Sequence, residues 1–185
     1  MEKVFAPLFY NPWYEGLSIW GYIDEKGGWA SKCRECWLSY MRGVQSAHSL
    51  RCWKIGIPYS ALRDPERAIE VLSSIVRARS GWDMKYTRDP GLLRIFTRGV
   101  IIIYTPSRRD MFDFLGLAIR SLGDFLGRPD AIDDLFYRLL VNTERIAGSF
   151  YYRRGCPEYD SRFGDGGDGL SEALAWCLSW LASSI

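Results

Sequence analysis

Apolar and polar positions alternate along Leu17-Ser18-Ile19-Trp20-Gly21-Tyr22-Ile23, stop at Asp24-Glu25-Lys26-Gly27-Gly28, and resume from Trp29. A period of two broken by a glycine-containing turn predicts a β-hairpin. A second β-rich run, Leu50 to Tyr59, is expected to pair with the segment around Cys36 to Met41 and complete a three-stranded meander. Asp64-Pro65-Glu66 then supplies an N-cap acid, a proline at the first helical position and an acid in the first turn. The helix it opens carries its stripe on Ala68, Ile69, Leu72, Ile75 and Val76, and Gly81 closes it.

Strand chemistry returns at Trp82 to Thr87, Leu92 to Thr97 and Val100 to Thr105, with the Arg88-Asp89-Pro90-Gly91 turn between the first two. Ser107 and Asp110 form a capping-box-like start, after which Met111, Phe114, Leu115, Ala118, Ile119, Leu122 and Leu126 trace one helical face up to Gly127. Pro129-Asp130 opens a further helix with Ile132, Leu135, Phe136, Leu139, Leu140 and Ile146 on its buried side. Tyr151 to Gly169, rich in glycine and aspartate, reads as a loop, and Leu170 to Ser183 as an apolar helix buried in its own domain or against a second subunit. The expected fold class is α+β: an antiparallel meander or sheet packed on one side by three to four helices, ending in a C-terminal apolar helix. The expected organisation is a domain over 1–150, a loop over 151–169, and an oligomerisation helix over 170–185.

Composition sharpens this picture through its asymmetry. Residues 1 to 110 hold 17 cations and 11 acids, whereas residues 111 to 185 hold 7 and 11, so a total of only +2 hides a polar chain. Twelve of the first 60 residues are aromatic, and residues 84 to 109 carry six cations against the single acid Asp89. Rings and cations together suit single-stranded nucleic acid, in which bases stack on side-chain faces while Arg and Lys neutralise phosphates. Stacking contributes roughly 1–3 kcal/mol per base without reading sequence. The contact set expected from this is Trp20, Tyr22, Trp29, Lys32, Arg34, Trp37, Lys85, Arg94, Phe96, Arg98, Arg108 and Arg109. Packed rings and a solvated cationic face account for the same residues without any ligand.

Cys33 and Cys36, followed by His48 and Cys52, stand close to zinc-finger spacing. Two readings of the four residues stand side by side: a closed structural Zn²⁺ site, or small hydrophobes in strands, whose odd spacing sets Cys33 and Cys36 on opposite faces and whose meander brings Cys36 and Cys52 within the range of a disulfide. No other cofactor is expected. The chain lacks a P-loop, a dinucleotide fingerprint and a nucleophile elbow, and His48 is its one histidine. A protein without a catalytic step is therefore expected, the enzymatic alternative being a metal-independent nuclease built from Arg and Tyr, and the other a zinc-stabilised nucleic-acid or protein-interaction adaptor. Val100 to Ile103 is the longest aliphatic run, so no membrane span is expected, and neither is a secretion signal at the N-terminus, giving a cytoplasmic expectation.

In overall character the aromatic segment Leu17 to Tyr40, the strand-helix-strand order from Leu50 to Thr105, the arginine-rich block 84 to 109 and the C-terminal segment resemble the ThermoDBP-related proteins of hyperthermophilic archaea. That family comprises single-stranded DNA-binding proteins built on an α+β N-terminal domain with aromatic and basic contact surfaces. The resemblance implies a homo-oligomer that holds single-stranded DNA with little sequence preference and no catalytic step. RNA is the other strand type the same chemistry accommodates.

Overall fold

The computed structural model describes residues 20–23, 39, 42–44, 47, 51–89, 98–140 and 143–155. Among these residues six strands form one antiparallel sheet: β1 (Trp20–Tyr22), β2 (Trp53–Pro58), β3 (Asp83–Thr87), β4 (Val100–Thr105), β5 (Glu144–Ile146) and β6 (Phe150–Arg154), in the spatial order β1-β3-β4-β2-β6-β5. Among the described residues, three α-helices with defined bounds accompany it: α1 (Pro65–Arg77), α2 (Arg108–Leu122) and the short α3 (Ala131–Leu135), which continues into a π-helical turn over Phe136–Leu140. The fold is α+β.

Both long helices start where the sequence predicts, for the expected reasons. The Asp64 side chain accepts from the Arg67 backbone N–H at 2.9 Å, with Pro65 in the first turn, and Ser107 accepts from the Asp110 N–H at 3.1 Å. Ala68, Leu72 and Val76 of α1, with Met111, Phe114, Leu115, Ala118 and Leu122 of α2, are buried against one sheet face. That face is lined by Trp53, Ile55, Ile57, Met84, Ile101, Ile103, Phe150 and Tyr152. Each such aliphatic or aromatic side chain contributes roughly 1.5–3 kcal/mol by leaving water.

Strand pairing departs from the sequence expectation. β1 pairs with β3, in the register Trp20↔Thr87, Gly21↔Tyr86 and Tyr22↔Lys85, while the predicted hairpin partner beginning at Trp29 lies outside the described residues. The predicted meander is replaced by a central β2 flanked by β4 and β6, and Ser39, inside the segment expected to pair with it, is helical. Close approach explains the glycine in β1. A Cβ on Gly21 would stand 2.4 Å from the Tyr86 ring, which lies across the glycine and covers it.

The helix predicted to run from Pro129-Asp130 to Ile146 ends in the π turn, and the segment read as loop from Tyr151 is strand. Ile146↔Phe150 closes a β5–β6 hairpin whose turn places Ala147 and Gly148 at positive φ, 48° and 77°. Phe136 and Tyr137 pack with Val100 and Tyr151, on the sheet face opposite α1 and α2. The predicted strand Leu92 to Thr97 and C-terminal helix Leu170 to Ser183 lie outside the described residues.

Candidate nucleic-acid interface

Strand alternation divides the sheet's chemistry cleanly in two. Odd residues of β2 and β4 face the helices; even residues of both, with Asp83, Lys85 and Thr87 of β3 and Trp20 and Tyr22 of β1, face the other way. Register then sets these residues in rows. Asp83, Tyr104, Lys54 and Arg153 lie side by side across β3, β4, β2 and β6, and the next row reads Tyr22, Lys85, Ile102, Gly56 and Tyr151. Lys54, Lys85, Asp83 and Arg153 are all 6% exposed or less.

Burying an ion costs several kcal/mol of hydration, so each of these charges needs compensation. For Lys85 it comes from rings: its Nζ lies 4.2 Å from the Trp20 ring centroid and 5.8 Å from that of Tyr104. Lys54 Nζ stands 5.5 Å from the same Tyr104 ring, which thus serves two ammonium groups. A desolvated cation–π contact contributes about 2 kcal/mol. Tyr22 packs with Tyr104 and Cys52, so both outward side chains of β1 lie over this polar face.

A second concentration of charge sits at the end of the sheet where β2 begins and β4 and β6 finish. The C-terminus of α1 and the N-terminus of α2 converge there, because α1 leads through Gly81 into β3 and β4 leads through Pro106 and Ser107 into α2. The end carries Arg51, Arg77, Arg79, Arg108, Arg109 and Arg154, against Asp83, Asp110 and Asp113. Asp83 is buried, and Asp110 is engaged by the Ser107 hydroxyl and the Trp82 indole N–H. Three of the arginines roof buried rings: Arg79 lies 5.8 Å from Trp82, Arg108 5.9 Å from Phe112, and Arg154 5.9 Å from Trp53. Among the described residues, no carboxylate forms an ion pair with Arg51, Arg77, Arg79 or Arg109.

The residues expected to contact nucleic acid are distributed as follows. Trp20 and Tyr22 are half-buried on β1, facing the same way as Lys85, which is buried rather than part of an open cationic face. Arg108 and Arg109 belong to the arginine rim, whereas Arg98 is exposed at the opposite end of β4, roughly 17–20 Å away at about 3.3 Å per residue. Trp29, Lys32, Arg34, Trp37, Arg94 and Phe96 lie outside the described residues, as do Cys33, Cys36 and His48 of the expected zinc set. Cys52 is a buried thiol beside Tyr104, and no group of metal-ligating side chains assembles among the described residues.

No aromatic side chain among the described residues is exposed, so Trp53 and Trp82 serve the core. Sequence reasoning missed Arg51, Arg77, Arg79 and Arg154 in the rim, and Lys54 and Arg153 in the buried row. The signal for Arg153 and Arg154 was their place directly after Phe150-Tyr151-Tyr152, a run with strong β-propensity. No described helix is long and apolar enough to cross a membrane. No protein-family model matches the chain, and no curated protein matches it.

Proposed function

We propose that the protein binds single-stranded nucleic acid, DNA in the first place, through phosphate contacts at the arginine rim and stacking on N-terminal rings, with little sequence specificity and no catalytic step. The observation that carries this reading is the rim itself. Six arginines gather from the ends of α1, α2, β2 and β6, and four of them have no ionic partner among the described residues. Guanidinium groups suit this task because their planar forks bind phosphate oxygens bidentately. Arg79, Arg108 and Arg154 also rest on ring faces, which orients their forks and lowers the entropy lost when a phosphate arrives.

Fluorescence anisotropy with a labelled oligothymidylate, an RNA oligomer and a duplex, each over a salt series, tests the reading. Four phosphate contacts to a single strand give a slope of log K against log salt of about −3. Preference for the single strand with that slope supports the proposal. Affinity independent of salt, or no binding to any of the three, overturns it, and strand cleavage transfers the site to a nuclease.

A further inference from the structure

Lys85 and Trp20 form an unusual pair for a buried position. Lys85 is 5% exposed, and no carboxylate among the described residues pairs with its ammonium; the Trp20 ring stands 4.2 Å away instead. Each partner has a stronger complement in a nucleotide than in the other. A phosphate oxygen is a charge-assisted acceptor for an ammonium, and a base offers a full π face to an indole.

The element that brings the two together is a short strand at one edge of the sheet as formed by the described residues. Among the described residues β1 spans three, pairs with β3 alone, and continues its ladder with an Ile23 N–H to Met84 O contact of 3.4 Å. Its middle residue, Gly21, contributes no side chain to the core. Beneath its outward side chains lie Lys85 and Tyr104, and Tyr104 shares its row with Lys54 and Arg153. That row begins at Asp83 and ends at Arg153, next in the chain to Arg154 of the rim, so its two cations outnumber its one acid and join the exposed rim to the covered face.

We infer that Trp20 and Lys85 are a self-occupied nucleotide site, closed in the free protein, in which displacement of β1 gives the Lys85 ammonium to a phosphate and the Trp20 ring to a base of the incoming strand. The inference rests on the nucleic-acid reading above and extends it. The strand bound first at the rim passes onto the sheet face as β1 lifts, so affinity depends on the freedom of β1 as well as on exposed charge. No covalent bond is made or broken in this exchange; the β1–β3 backbone hydrogen bonds are given up.

Gly21 and Tyr86 offer a direct test. They are cross-strand partners on the helix-facing side, opposite Trp20, Tyr22 and Lys85. Antiparallel partners stand about 4.5–5.5 Å apart at Cα, within the range a disulfide spans. The variant G21C/Y86C, with its bridge confirmed by peptide mass mapping, fixes β1 to β3 while keeping every residue of the proposed site. The oxidised form is expected to bind oligothymidylate at least tenfold more weakly than the same protein after reduction with dithiothreitol. Equal affinity in both forms overturns the inference and leaves rim binding intact, whereas absence of binding by wild-type protein overturns both.

If the reduced double variant does not bind where wild type does, Lys85→Met decides. A phosphate contact at Lys85 makes the salt slope of that variant shallower by about 0.7, the share of one single-strand phosphate. An unchanged slope overturns the site.

Discussion

The indole N–H of Trp82 donates to Asp110 Oδ1 at 3.1 Å, tying the residue before β3 to the first turn of α2. The same carboxylate accepts from the Ser107 hydroxyl, whose oxygen accepts in turn from the Asp110 backbone N–H. The Asp110 side chain therefore braces the capping serine and fixes two rim arginines, Arg108 and Arg109, relative to Arg79 above Trp82. Asp110→Ala leaves the Ser107 cap in place but removes the acceptor of the Trp82 indole N–H and the Ser107 hydroxyl, and is expected to cost about 1–3 kcal/mol. Urea denaturation with tryptophan fluorescence measures it, and an unchanged midpoint contradicts the role.

Charge reversal at the rim separates electrostatics from fold. Arg79→Glu and Arg109→Glu alter exposed side chains that no described carboxylate pairs with, so each variant is expected to melt within about 0.5 kcal/mol of wild type. Each is expected to weaken binding of oligothymidylate and to flatten the salt slope by about 0.7. The double variant is expected to lose both increments, and retention of the wild-type slope would count against the rim.

Stability at high pH is expected to depend on two phenols. Burial, with Tyr86 nearby, pushes Tyr59 above the ordinary tyrosine range, and its hydroxyl donates to the Thr87 carbonyl. Burial also raises Tyr151, which donates to Asp134 at 2.5 Å, and the Asp134 charge adds to the shift. Both groups hold their protons more tightly in the fold than in the unfolded chain. Their stabilisation is therefore complete below about pH 10, where an unfolded tyrosine titrates, and is lost as pH rises toward the folded values. Melting temperature is expected to fall across pH 10 to 12, and Tyr59→Phe and Tyr151→Phe each to lessen the fall. Equal alkaline slopes in all three proteins would refute the assignment.

Ser60 and Asp133, 73 residues apart, are joined at 2.5 Å by the serine hydroxyl, whose oxygen accepts from the Asp130 N–H at 3.2 Å. Asp133 is 1% exposed. Removing the donor leaves a buried carboxylate short of a hydrogen bond, so Ser60→Ala is expected to cost about 1.5–3 kcal/mol, as bonds to charged groups do. Hydrogen exchange is expected to quicken first in α3, which this contact holds to the turn that follows β2.

The parts of the fold encoded within a few residues were legible in the sequence. Asp64-Pro65 and Ser107 to Asp110 mark helix starts by local hydrogen bonding, and the Val100 to Thr105 run is strand by composition alone. Pairing was not legible, because what puts Trp53 beside Arg154 or Trp20 beside Thr87 is long-range burial rather than any adjacent turn. The segment from Ile132 to Ile146 shows the competition directly. It is helical as far as the π turn, but the expected stripe is not the buried one: Ile132 and Leu135 are exposed while Asp133 is buried, and Ile146 reaches the core as a strand residue instead. At the candidate site, sequence gave the cation and the ring of the Lys85–Trp20 pair but not their contact, which depends on the β1–β3 register.

The central place of β2 governs how the molecule comes to be made. One neighbour, β4, follows within about fifty residues, but the other, β6, ends only at Arg154. During translation the left and right halves of the sheet therefore form at different times, and β2 waits with one edge open until some hundred further residues have left the ribosome. A nascent chain in that interval exposes Trp53 to Ile57 along an unpaired edge, and chaperone occupancy is expected to peak there and end with the emergence of Phe150 to Arg154.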